Sequence, residues 1–389
     1  MICTVASTEA SINASHNLTL NNDTWDVGEV DVNWFSAIET ILYTKVILVI
    51  CVVGILGNIL CLVILTRKSL TGSMDRMEKS AHMGLVALAI SDLLFCITAL
   101  PHSLLDLQQF EHSSLDFRLV YKIANNGLVN TFIMSSTWLT VLIAMCRYLA
   151  IVFPIKGRQL LGITFTGISI AMVFIICIIF NLPRFFTYKY HSILCDEGWP
   201  AYYVLPEETS IASGPLYLWL YFIVCIFMPL VLLAFCNTYL IRALHSSHKM
   251  RRQHCRSHDI SVKRKNTLTL TLIIIVVCYI VLVTPAELVN FTKSTIISKP
   301  DFIHSDKYNL ATAICNTLQA LNFACNFGLY CFINTHFRQT LKLLCGSKRN
   351  QHNAFPLTDT RLQEGYTSTT SVYHYHTVNN VNSVVGTKI

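Results

Sequence analysis

Ser135-Ser136-Thr137-Trp138-Leu139-Thr140-Val141-Leu142-Ile143-Ala144-Met145-Cys146-Arg147-Tyr148-Leu149-Ala150-Ile151-Val152-Phe153-Pro154 decides how the chain folds. An apolar stretch runs into a single arginine, an aromatic residue, further apolar residues and a proline. A fixed cation at the end of an apolar helix is costly in hydrocarbon unless it snorkels to water or serves an internal cavity. The proline marks a helix stop just after the chain leaves the apolar phase. The stretch therefore predicts a membrane-spanning helix with a functional charge near its end.

The rest of the chain extends this pattern. Hydrophobic residues make up 53% of the sequence and charged residues 13%, against roughly 25% charged in soluble domains. Seven apolar runs account for the difference: Tyr43–Leu65, Met83–Ser103, Leu119–Val152, Leu160–Leu182, Leu216–Leu240, Leu268–Val289 and Ala311–Ile333. Each is near the ~20 residues that a helix needs to cross a bilayer. The expected fold is an all-α membrane protein, a seven-transmembrane helix bundle over residues 43–345. An extracellular tail over 1–42 precedes it, and a polar, disordered cytoplasmic tail over 346–389 follows.

Charge sets the orientation. Arg67, Lys68, Arg76 and Lys79 follow the first run, Lys156 and Arg158 the third, Arg242 to Lys265 the fifth, and Arg338 and Lys342 the seventh. The positive-inside rule puts the amino terminus outside and the carboxyl terminus inside. An odd number of spans requires the same split. The net charge of +7 thus reflects inner loops, attraction to anionic lipid included, rather than nucleic-acid binding. Fifteen cysteines do not make a disulfide framework, because most lie within apolar runs. The sequons at Asn13, Asn17 and Asn22 cluster in an acidic tail without Lys or Arg, which predicts glycosylation. Thr335 to Cys345 is short and amphipathic and predicts an eighth helix along the inner interface. Cys345, beside basic residues, is its palmitoylation candidate.

Among the polar residues inside the runs are Asn58, Asp92, Ser136, Asn322 and Asn326. A carboxylate at membrane depth must be neutralised, paired or hydrated. Two readings stay open here. Asp92 with hydroxyl and amide oxygens forms a sodium site, or a protonated Asp92 hydrogen-bonds to the asparagines with no ion.

Taken together, these features resemble the rhodopsin-like G-protein-coupled receptors. The matching motifs are Gly57-Asn58, Leu88-Ala89-Ile90-Ser91-Asp92, Cys146-Arg147-Tyr148 and Asn326-Phe327-Gly328-Leu329-Tyr330, with Pro229, Pro285 and Phe337. The resemblance implies a sodium pocket of Asp92, Ser136, Asn322 and Asn326, and a G-protein crevice built on Arg147 and Tyr330. Three departures stand out. Cys146 replaces the family's acid, Phe327 replaces the seventh-helix proline, and Val283 replaces the sixth-helix tryptophan, with Tyr279 the candidate to take over part of its packing. Lys122 stands where most relatives carry the third-helix cysteine, so Cys195 lacks its usual partner and either pairs with Cys3 or stays a free thiol.

Val129, where amine receptors carry aspartate, and Ala320, where opsins carry lysine, argue against those ligand classes. Glu287 lies one turn outward of Pro285, with Asp106 and Gln319 as expected neighbours in the ligand cavity. A buried carboxylate facing a cavity suits a cation, so the expected ligand is a basic extracellular peptide. Ser136 to Val141, Asn237 to Ile241 and Leu282 to Leu288 are similar to invertebrate FMRFamide-receptor-like receptors. The implied function is neuropeptide-driven activation of a heterotrimeric G protein at the plasma membrane, without enzymatic activity. The Thr367 to Ser371 cluster is a phosphorylation candidate for arrestin, and Thr387-Lys388-Ile389 is similar to PDZ-binding ends. A receptor for a lipid or other small molecule is the alternative within the class. A channel or transporter is the alternative outside it, and no duplicated half supports it.

Overall fold

The computed structural model describes residues 34–67, 76–104, 117–153, 155, 161–194, 200–207, 210–253, 260–296, 306–333 and 335–345. Nearly all of them belong to one contact unit, Met1–Lys342; of the second, Leu343–Ile389, only the end of one helix is described.

Six helical segments among the described residues are long and apolar enough to cross a membrane. They are α1 (Trp34–Leu65), α2 (Arg76–Leu104), α3 (Phe117–Val152), α4 (Ile163–Asn181), α5 (Pro215–Tyr221, a π-helical turn over Phe222–Phe227, then Met228–Gln253) and α6 (Ile260–Leu282, then Thr284–Ile296). Two further helical stretches, Asp306–Ala324 and Asn326–Ile333, form α7, and Thr335–Cys345 forms α8. α7 carries Asn316, Gln319, Asn322 and Asn326 and is broken at Cys325, which makes it less apolar than the six.

The burial pattern of α4 is inverted relative to a water-soluble helix. It buries Thr166, Cys177 and Asn181, while Ile168, Ile175, Ile176 and Ile179 face outward. In water, each exposed isoleucine would forgo about 1.5–3 kcal/mol of burial. Against lipid tails that cost vanishes, and small or polar residues are the useful ones between helices. α3 is the central element, packing on α2, α4, α5 and α6. Its inward hydroxyls bond back to their own helix: Thr131 to Gly127 O at 2.7 Å, Ser135 to Thr131 O at 2.8 Å and Thr137 to Ile133 O at 2.9 Å. These three hydroxyl protons are thereby satisfied away from water.

Prolines account for two of the irregularities. Pro229 cannot donate a backbone hydrogen bond and crowds the carbonyl four residues before it. The π turn of α5 lies immediately upstream and absorbs that mismatch. Pro285 stands one residue inside the second half of α6, just after the interruption at Val283. α7 has no such proline. Its break at Cys325 persists although Phe327 fills the proline's place, and the Cys325 thiol bonds Asn322 O at 3.3 Å across it.

A hairpin interrupts the helical order, an element that the all-helical expectation omitted. β1 (Tyr188–Leu194) pairs antiparallel with β2 (Pro200–Pro206), with Tyr188 opposite Pro206. Its aromatic and β-branched run was legible as a strand signal. Cys195 and Cys3 lie outside the described residues. The approach to β1 is tied to α3 without a bridge at Lys122: Asn126 Nδ2 donates to Thr187 Oγ1 at 3.3 Å, and the Phe185 ring lies flush against Gly127. A Cβ at Gly127 would overlap that ring. Gly127→Ala should therefore destabilise the protein by about 1–3 kcal/mol. Purified protein should melt lower, and adding Phe185→Leu should restore it. An unchanged melting temperature would show that the ring moves freely.

Candidate functional site

A cavity of about 380 Å³ opens among α3, α5, the second half of α6 and the segment from Arg184 to Tyr188. Its floor is a polar cluster. The Glu287 side chain is 3% exposed. Its Oε2 accepts from the Tyr221 hydroxyl at 2.9 Å and its Oε1 from Gln319 Nε2 at 2.6 Å. Tyr221 and Gln319 come from α5 and α7, so one carboxylate joins three helices.

Arg184, in the turn after α4, completes the cluster. Its guanidinium lies 4.1 Å from the Tyr221 ring centroid and 5.6 Å from that of Tyr217. Its Nε donates to the Tyr217 hydroxyl at 3.2 Å. Stacking on two rings holds the cation beside the Tyr221 hydroxyl that donates to Glu287. Asn290 Nδ2 donates to Asn316 Oδ1 at 3.3 Å, and Asn316 Nδ2 to the Tyr43 hydroxyl at 3.0 Å, linking α6 through α7 to α1.

A second network lies deeper in the bundle. Asp92 is fully buried. Ser136 Oγ donates to its Oδ1 at 2.7 Å, and Asn326 Nδ2 makes a short bond to its Oδ2. The carboxylate thus couples α2, α3 and α7. Asn58 Nδ2 donates to Phe323 O at 2.9 Å and ties α1 to α7, while its buried Oδ1 has no hydrogen-bond partner among the described residues. Asn322 is half-buried, and its backbone oxygen accepts from the Cys325 thiol within α7. A carboxylate beside a hydroxyl offers the oxygen ligands that a hard cation takes, so Asp92 and Ser136 fit sodium chemically.

Residues 57–330 match the model of the 7 transmembrane receptor family, rhodopsin type. The chain belongs to the rhodopsin family of seven-transmembrane receptors. It is therefore a G-protein-coupled receptor and a multi-pass membrane protein. The receptor is 22% identical over 337 residues to sex peptide receptor-related protein 2 of Caenorhabditis elegans, covering 80% of this chain and 72% of that one. It is 23% identical over 312 residues to the sex peptide receptor of Drosophila melanogaster, covering 75% and 69%. It is 24% identical over 302 residues to C-C chemokine receptor type 3 of Macaca fascicularis, covering 75% of each chain.

At the C-terminal end of α3 the receptor buries Cys146 and Arg147, each 7% exposed. Tyr148 turns outward and meets Phe235 and Tyr239 of α5 edge-on, both with centroids 5.4 Å away. Tyr330 of α7 is 1% exposed and packs against Phe337 of α8, with centroids 5.4 Å apart, in a cluster with Leu88, Leu139 and Leu272. Tyr279 and Val283 pack with Val141 and Leu233 in the space between α3, α5 and α6, with Trp138 of α3 against the same cluster. His82 bonds Leu65 O at 2.6 Å and so fastens α2 to the end of α1.

The structure brings Glu287 together with Gln319, and Asp92 with Ser136 and Asn326. Asp106, Asn13, Asn17 and Asn22 lie outside the described residues, as does the tail. Cys345 ends α8. Arg184, Tyr221 and Lys293 were not singled out from the sequence. Arg184 had a signal, because it is a cation directly after an apolar run on the side poor in Lys and Arg.

Proposed function

We propose that the receptor responds to an extracellular peptide whose end enters the cavity above Glu287 and Gln319. The observation that carries this reading is the cavity itself, walled by a buried carboxylate and a guanidinium and set among α3, α5 and α6. The names of relatives for sex peptide and chemokines support a peptide in particular. Its volume lies within the ~300–1,000 Å³ range of small-molecule pockets, which keeps a lipid or other small ligand as the second reading.

In this proposal α7 is the seventh crossing and α8 lies along the inner interface, with Cys345 palmitoylated. The domains run 1–42, 43–345 and 346–389. The protein sits in the plasma membrane with its amino terminus outside, carrying glycans on Asn13, Asn17 and Asn22. Asp92, Ser136 and Asn326, with Asn58 and Asn322 nearby in the bundle, would hold an allosteric sodium ion. Arg147 and Tyr330 reorganise to admit a heterotrimeric G protein. Phosphates on Thr367 to Ser371 recruit arrestin, and Thr387-Lys388-Ile389 takes a PDZ domain. A ligand drives the change only by binding one helix arrangement better than the other.

Calcium release in cells that co-express the receptor and a promiscuous G protein, read against a peptide panel, tests the reading. A saturable response to one peptide is expected. Silence across the panel, with surface expression confirmed, overturns it in favour of a small ligand.

The substitution Cys146→Asp gives a separate expectation. It supplies a carboxylate beside Arg147, and a charge-assisted bond contributes about 1.5–3 kcal/mol. Basal signalling should fall roughly tenfold or more, since 1.4 kcal/mol is about a factor of ten. Unchanged basal output would show that other contacts hold the resting state.

A further inference from the structure

We propose that the cavity recognises an anionic group, a carboxylate, gripped by the guanidinium of Arg184 with Lys293 as a second cation. The inference rests on the reading that this cavity is the ligand site, and it names the chemistry which that site takes.

Three observations carry it. First, both oxygens of Glu287 are already engaged, by Tyr221 and Gln319, with Arg184 acting on the same carboxylate through space. The acid is compensated within the receptor and does not require a cation from the ligand. Second, Arg184 and Lys293 are the cations among the described lining residues, and Glu287 is the sole acid. An ammonium or guanidinium ligand would approach Glu287 past Arg184 and meet like charge. Third, Arg184 uses only Nε, toward Tyr217. Its two Nη groups have no hydrogen-bond partner among the described residues, and the side chain lines the cavity. A stacked guanidinium with its outer edge free presents two parallel N–H donors, which suits a carboxylate bound in bidentate fashion. Asn126 and Asn130 of α3 border the same space, with Asn126 Nδ2 donating to Thr187 Oγ1 and Asn130 Nδ2 to Asn126 O and Oδ1. The expectation of a basic ligand, drawn from Glu287 with Asp106 beside it, did not include Arg184.

The group has two sources, a peptide carboxylate or a free organic acid, and matched fragments separate the chemistry from the source. Purified receptor in lipid nanodiscs is titrated with 3-phenylpropanoate, 3-phenylpropanamide and 3-phenylpropylamine while its melting temperature is followed. The acid should stabilise the wild type, and the amide and amine should not. Arg184→Gln should weaken the acid at least tenfold, Lys293→Gln less, and Arg184→Lys should fall between. Added salt should weaken the acid in all of them. Equal stabilisation by acid and amide overturns the proposal, and so does binding of the amine with loss in Glu287→Gln. If Arg184→Gln fails to fold, Arg184→Lys and Lys293→Gln carry the test, and acid binding unchanged in both overturns it. Peptides supplied as free acids and as amides identify the source. Acid binding without any peptide response sinks the peptide reading alone. A peptide that acts equally as acid and amide, and has no acidic side chain, sinks the anion inference alone.

Discussion

Glu287→Leu is expected to abolish the agonist response and to lower cell-surface expression sharply. The side chain joins α5, α6 and α7 through Tyr221 and Gln319 at 2.9 and 2.6 Å. Its removal strands the Tyr221 proton and the Gln319 amide, and it leaves the Arg184 charge without its counterpart. Two stranded buried donors cost about 1–3 kcal/mol each, a large fraction of the ~5–15 kcal/mol that holds a folded domain. Glu287→Gln should behave quite differently. One amide oxygen still accepts from Tyr221, and a flip of Gln319 lets the two amides pair. Folding should survive while the negative charge disappears. The potency of a carboxylate agonist should then rise and that of a cationic agonist fall, each by roughly tenfold for about 1.4 kcal/mol. Dose–response curves on receptor matched for surface expression check the sign. Equal curves for wild type and Glu287→Gln would show that the charge plays no part in recognition.

The second large effect is expected at Asp92. Asp92→Ala removes the acceptor for Ser136 Oγ and Asn326 Nδ2 and leaves a void among three helices. Two stranded donors cost about 1–3 kcal/mol each, so little folded receptor should reach the surface. Asp92→Asn keeps the shape, and its oxygen still accepts from Ser136. That variant should fold, and it separates structure from ion binding. Wild-type receptor should lose stability when sodium is replaced by N-methylglucamine, and Asp92→Asn should not respond to the exchange. A wild type indifferent to sodium would leave the protonated, ion-free network as the correct description.

Much of the architecture was legible because a bilayer simplifies the rules. Backbone groups in hydrocarbon must pair within their own segment, so seven apolar runs translate directly into helices. The polar residues that mattered were the few whose presence in those runs was costly: Asp92, Ser136, Asn326 and Glu287. What escaped was set by approach between elements, which no run displays. Arg184 belongs to the cavity because the turn after α4 folds over Tyr217 and Tyr221. Asn322 and Asn326 are four apart, yet the side chain of Asn326 bonds Asp92 while Asn322 contributes a backbone oxygen across the break at Cys325. The hairpin is less legible because its two strands are short and sit between spans, where no long apolar run marks them.

The π turn of α5 bears on how this chain should be compared with others. Counting back from buried Leu233 in steps of about 3.6 residues assigns Phe222 and then Leu218 or Trp219 to the inward face. The residues actually buried are Tyr221 and Tyr217, and Trp219 is 56% exposed. The turn shifts the frame by one residue, and the cavity is built in the shifted frame. An alignment that carries α5 through without a gap therefore pairs Tyr221 with a lipid-facing residue of any relative whose helix lacks the turn. Ligand preferences transferred column by column would then compare a wall with a floor.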